Sequence, residues 1–67
     1  MLNNLTLRKL RIAKGFTQAD IAAKTGVTRE YIAELESGVR RNPRLTTLTR
    51  LADAFGVGID ALVAKGR

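Results

Sequence analysis

The chemistry open to this 67-residue chain is bounded first by what it lacks, since it contains no Cys and no His. Thiol nucleophiles, thiolate zinc sites and imidazole bases are thereby removed. The carboxylates are scattered over polar faces, at no spacing that assembles an acid–base pair or a metal cluster. An enzyme is therefore the least supported class, and no metal or cofactor is expected. What remains is charge. Twelve Lys and Arg stand against six Asp and Glu, a net charge of +6 and a pI near 10.9. Such an excess in so small a chain attracts polyanions, nucleic acid first among them. The plainer alternative is a basic surface that only keeps the protein dispersed, and charge alone does not separate the two. Three of the arginines, Arg40, Arg41 and Arg44, crowd around the lone proline, Pro43, in a loop over residues 39–44.

Positioning these side chains requires elements, and the glycines mark them out. Leu7 and Leu10, joined by Leu5, predict one side of a first helix that ends at Gly15, a residue suited to a left-handed C-terminus. Thr17-Gln18-Ala19-Asp20 reads as a capping box, with Thr17 capping a second helix and Asp20 reaching back to its free N–H. Ile21 and Ala22 follow, and Gly26 stops this helix after about two turns. Thr28 caps a third helix, with Glu30 placed against its positive end and with Ile32 and Leu35 facing inward as far as Gly38. A fourth helix is expected from about Thr46, carrying Leu48, Leu51, Ala52 and Phe55 at helical spacing up to Gly56. Gly58 then caps a short fifth helix with Ile59, Leu62 and Val63. The expected fold is all-α, five short helices in a single domain over residues 1–67. A chain this size buries only about 60% of the surface it exposes unfolded, so helix packing, helped by dimerisation, must stabilise it.

Two short helices around a glycine turn, the second opening on polar residues, have the form of a helix-turn-helix, here at about residues 17–37. Ala22 sits where the two helices cross closely and a larger side chain would push them apart. Gly26 occupies a turn that needs positive φ, where a Cβ costs energy. Val27, Ile32 and Leu35 lock the second of these helices onto the first.

The stretch TQADIAAKTGVTREYIAELESG resembles the helix-turn-helix of the phage repressor and Cro family, also called the xenobiotic-response-element type. The likeness runs over about residues 7–63. It takes in the Leu-Arg-x-x-x-Gly-x-Thr-Gln pattern ending at Gln18, the Glu36-Ser37-Gly38 turn and the closing Leu-Ala-x-x-Phe-Gly-Val ending at Val57. The resemblance implies a compact five-helix, lambda-repressor-like domain whose third helix, roughly residues 28–37, enters the major groove of double-stranded DNA. Thr28, Arg29, Glu30 and Glu34 fall where the family reads bases, and Arg29 can bond O6 and N7 of guanine together. Thr17 and Gln18 match the start of the helix placed against a phosphate. Ser37, Gly38, Arg41 and Arg44 match the loop that grips the DNA backbone. Arg11 and Glu36 match a partly buried structural ion pair between the first and third helices. Its alternative is two solvated charges, worth about 0–1 kcal/mol rather than the 3–5 lost on breaking a buried pair.

Some residues sit awkwardly in that scheme. Glu30 and Glu34 bring negative charge to the face that should meet DNA. Either they accept from cytosine N4 or orient Arg29, or Glu34 lies idle on the solvent edge. Tyr31 either gives its hydroxyl to a phosphate, the favoured reading, or packs its ring beside the second helix. Arg8, Lys9, Lys14, Lys24 and Arg50 are expected to be ordinary solvated charges. Ile59, Leu62 and Val63 are candidate dimer contacts, although in so small a chain an apolar stripe there favours core.

The function expected is a dimeric, sequence-specific transcriptional regulator, bacterial or phage, whose recognition helices meet palindromic half-sites about 34 Å apart. The small size leaves no room for a ligand-sensing domain, so no small-molecule ligand is expected. The alternative is an antitoxin-like module whose main partner is a protein. A cationic membrane peptide would need one continuous amphipathic helix, which the glycines at 15, 26, 38 and 56 interrupt. No apolar run approaches a transmembrane span, and Met1 to Leu7 carries no signal-peptide pattern, so a cytoplasmic location is expected.

Overall fold

The computed structural model describes residues 2–63. Its four α-helices are α1 (Asn4–Ala13), α2 (Gln18–Thr25), α3 (Arg29–Ser37) and α4 (Leu45–Phe55), followed by a 3-10 turn at Ile59–Ala61. The architecture is all-α. The only β pairing among the described residues is a single antiparallel bridge between Leu2 and Val63.

Each helix starts and stops for a local reason. Asn3 caps α1 by accepting from the Thr6 N–H, and Thr17 and Thr28 cap α2 and α3 in the same way. Gly26 closes α2 at φ +76°. A Cβ there would meet only Arg50 Nη1, at an ordinary 3.6 Å, so the need for glycine is conformational rather than steric. α1 ends two residues before Gly15, and α4 begins one residue before Thr46.

The inward faces meet in one core of Leu2, Leu7, Ile21, Ala22, Ile32, Leu35, Leu51, Ala52, Phe55 and Leu62. α2 packs against both α3 and α4, while α1 lies on α3. Ala22 is buried between them, and the Phe16 and Phe55 rings sit 6.5 Å apart, tilted at 39°. Thr25 is buried too, its hydroxyl donating to the Ile21 carbonyl at 2.7 Å.

Two expectations are corrected, and Leu62 takes the core reading. Leu5 does not join Leu7 in the core but is 62% exposed. Two residues turn a helix by about 200°, so Leu5 must point away from Leu7 and share the outer face with exposed Ile12. The fifth helix shrinks to the three-residue 3-10 turn. The Leu62 carbonyl, which a longer helix would use, instead accepts from the Asn3 N–H at 2.8 Å. Leu62 itself is wholly buried in the protein's own core, so it has no surface to offer a partner, while Ile59 and Val63 are half-buried.

Candidate nucleic-acid interface

The N-termini of α2 and α3 are each capped by an exposed threonine. At α2 the Thr17 hydroxyl accepts from the Asp20 N–H at 3.0 Å, and the Asp20 carboxylate accepts from the Thr17 N–H at 2.8 Å. The Thr17 N–H first, then its hydroxyl, hold the Asp20 carboxyl below its ordinary range, and Lys24 adds a weaker pull. At α3 the Thr28 hydroxyl accepts from the Tyr31 N–H at 3.0 Å. Each helix thus presents a capped, electropositive end, and the α3 end lies at the cleft lined by Arg40 and Arg44.

Along α3 the sides divide cleanly. Ile32 and Leu35 are fully buried, while Thr28, Arg29 and Glu30 are exposed and Glu34 is half-exposed. Glu36 also turns inward. Its carboxylate accepts from Arg11 Nε at 2.5 Å and Nη2 at 3.1 Å, and from Gln18 Nε2 at 3.1 Å. Arg11 Nη1 donates to the Phe16 carbonyl at 2.8 Å, and Asn4 Nδ2 donates to the Glu36 carbonyl at 3.1 Å. Arg11 and Glu36 are therefore joined in a bidentate, largely buried pair. The Gln18 amide nitrogen is tied into that pair, so Gln18 acts as a strut between α2 and α3.

The loop after α3 carries the basic residues. Gly38 adopts φ +86°, and its carbonyl accepts from Arg41 Nε at 3.1 Å. The Ser37 hydroxyl donates to the Glu34 carbonyl at 3.1 Å. The Arg41 carbonyl accepts from the Leu2 N–H at 3.0 Å, which ties the loop to the N-terminal segment. Arg44 is exposed at the N-cap of α4, and no side chain caps that helix. A cleft of about 450 Å³ opens between α3, the loop and α4, lined by Thr28, Tyr31, Arg40, Asn42, Arg44 and Thr47 among others.

Glu34 neither idles in solvent nor reaches Arg29. Its Oε1 accepts from Arg40 Nε at 2.5 Å, while the Arg40 N–H donates to the Glu34 carbonyl at 3.2 Å. The bond to Glu34, and then its charge, push the Arg40 guanidinium above its ordinary value. The same guanidinium lies over the Tyr31 ring, 5.3 Å from its centre. Sequence reasoning counted Arg40 only as loop charge. A cation just past the glycine turn, six residues beyond Glu34, was the available signal. Arg50 and Lys24 are also not merely solvated. Arg50 Nη1 donates to the Thr25 carbonyl at 3.4 Å at the end of α2, and Lys24 Nζ lies 5.1 Å from the Phe16 ring centre. Among the described residues no cluster could hold a metal ion, and no helix is long and apolar enough to cross a membrane.

Comparison with known proteins places this arrangement. A family model described as helix-turn-helix matches residues 7–62. An HTH-type transcriptional regulator of Sinorhizobium fredii is 46% identical over 55 residues, covering 82% of this chain and 70% of the relative. The immunity repressor protein of Bacillus phage phi105 is 34% identical, over 88% of this chain and 40% of its own length. Among solved structures, the restriction-modification controller protein C.AhdI of Aeromonas hydrophila superposes with a TM-score of 0.81. It is 34% identical, over 87% of this chain and 86% of the controller.

Proposed function

The chain belongs to the helix-turn-helix family, in its phage-repressor and Cro-like branch, and from that premise we propose that it is a sequence-specific transcriptional regulator of double-stranded DNA. The family and these relatives are transcriptional regulators, not enzymes. α3 lies in the major groove, and two copies meet a palindromic operator.

One observation carries this reading: α3 buries Ile32 and Leu35 completely while its capped N-terminal end leaves Thr28, Arg29 and Glu30 exposed. A helix held rigidly by its inner face can present its outer side chains in fixed register, which base reading requires. Arg29 is the guanine reader, with Thr28, Glu30 and Glu34 beside it. The α2 N-terminus at Thr17 and Gln18, with Ser37, Gly38, Arg41 and Arg44, holds the backbone on either side, and Tyr31 lies at the cleft that Arg44 also lines. Helix length supports the dimer in this reading. Nine residues of α3 span about 13.5 Å, too short to touch half-sites about 34 Å apart. A second copy must read the other half, with Ile59 and Val63 as the candidate contacts.

The test is selection of the purified protein against a random duplex library, with Arg29→Ala alongside at fixed salt. The expected result is an inverted repeat that loosens at one position with Arg29→Ala, at a cost of about 1–3 kcal/mol. Binding that enriches no motif and collapses as salt rises would reduce the protein to a general polyanion binder and move a protein partner to first place.

A further inference from the structure

The edge of α3 that faces outward carries a charge problem that its own residues do not solve. Arg29 is a single cation there against the two anions Glu30 and Glu34. A carboxylate brought bare against a phosphate-lined groove is repelled, and it also rotates freely, so it reads nothing. The structure supplies a remedy for Glu34 from outside the helix. Arg40 is tied to it twice, by Nε to Oε1 at 2.5 Å and by its backbone N–H to the Glu34 carbonyl at 3.2 Å. The guanidinium also lies over the ring of Tyr31, one helical turn before Glu34 on α3, 5.3 Å from its centre. One contact therefore holds the carboxylate and offsets its charge, and the other two hold in place the arginine that makes it.

We propose that Arg40 is a positioning residue for sequence reading: it neutralises Glu34 and aims its second carboxylate oxygen at the amino group of a cytosine. The inference rests on the reading of α3 as the groove-entering helix. It differs from a phosphate clamp in what it demands of the side chain. A clamp needs only a positive charge within reach of the backbone, which Lys supplies. Holding Glu34 requires the flat guanidinium, which bonds the carboxylate and lies over the ring at once.

The experiment is the same library selection, run with Arg40→Ala, Arg40→Lys, Glu34→Gln and the double variant Arg40→Ala/Glu34→Gln. The motif position that changes with Glu34→Gln defines the base that Glu34 reads. It should hold cytosine with the natural residue and shift toward adenine with glutamine, which pairs that base twice. Arg40→Ala is expected to loosen the same position and leave the one read by Arg29 intact. Arg40→Lys should loosen it too while keeping most of the affinity. On the selected duplex Arg40→Ala should weaken binding about tenfold, within the range for coupled neighbours, but under about threefold once Glu34 is Gln. Thermal melting of each variant checks that the fold survives, as expected for a half-exposed pair.

An equal loss in both backgrounds, with the motif unchanged and the salt slope flattened by about 0.9 per copy, would make Arg40 a phosphate contact and overturn the inference alone. Shifts at different positions for Arg40→Ala and Glu34→Gln would overturn it as well. A natural protein that enriches no motif at all would remove the reading on which it rests.

Discussion

At the scale of single residues, Arg11 and Glu36 depend on each other most sharply, with side chains only 14% and 5% exposed. Removing Arg11 leaves a buried carboxylate with Gln18 as its remaining side-chain donor, which costs about 3–5 kcal/mol. A 67-residue chain is stable by roughly 3–10 kcal/mol in all, at about 0.05–0.15 per residue. Arg11→Ala should therefore bring the protein close to unfolding in water, seen as a collapse of its urea midpoint. The paired replacement Arg11→Met/Glu36→Leu should recover most of that loss, because no charge is then stranded in the core. If Arg11→Ala melts like the natural protein, the pair is effectively solvated. The pair was legible only through family resemblance, since nothing in a separation of 25 residues shows that two charges meet. Glu34 shows the opposite limit. Its place on α3 followed from helical spacing, but its partner comes from a loop whose path no periodicity describes.

At the scale of elements, the helix starts were the most legible features. A cap is a local event: Thr17, Asp20 and Thr28 bond to backbone within three residues, so the pattern itself carries the geometry. The ends of the chain were the least legible. Leu2 enters the core and pairs with Val63, and the N-terminal segment holds both the basic loop and the 3-10 turn. Such pairing depends on residues some sixty positions apart, which short-range patterns do not register. The capping box also makes a testable statement about acid stability. The Asp20 carboxyl is held below its ordinary range in the folded protein, chiefly by the Thr17 N–H. Its contribution is therefore complete above the unfolded value of about 3.9 and fades as pH falls through the lower folded value. Melting temperature followed downward from pH 5 should fall more steeply for the natural protein than for Asp20→Asn. Parallel curves would mean that the box contributes nothing titratable. Thr17→Ala, which removes the hydroxyl half, should cost about 1 kcal/mol near pH 5 and less as the Asp20 carboxyl protonates.

At the scale of the whole molecule, the net charge of +6 becomes informative when it is counted against salt. Each phosphate neutralised by the protein releases counterions and steepens the fall of log K with log salt by about 0.9. Arg44 is suited to this count, because it is exposed at the start of α4 and makes no side-chain cap there. Arg41 is less suited, since its guanidinium bonds the Gly38 carbonyl and its backbone receives the N-terminal segment. If one copy binds DNA, Arg44→Gln removes one phosphate contact and should flatten the slope by about 0.9. If two copies bind an inverted repeat, the same substitution removes two contacts and the slope should change by about 1.8. Titration of the selected duplex between 50 and about 200 mM salt, the span over which such slopes are read, thus measures both the contact and the number of copies that make it. No change with Arg44→Gln would take this residue off the backbone. A change near 0.9 on a palindromic duplex would leave one half-site unread, and with it the claim that the operator is bound by a dimer.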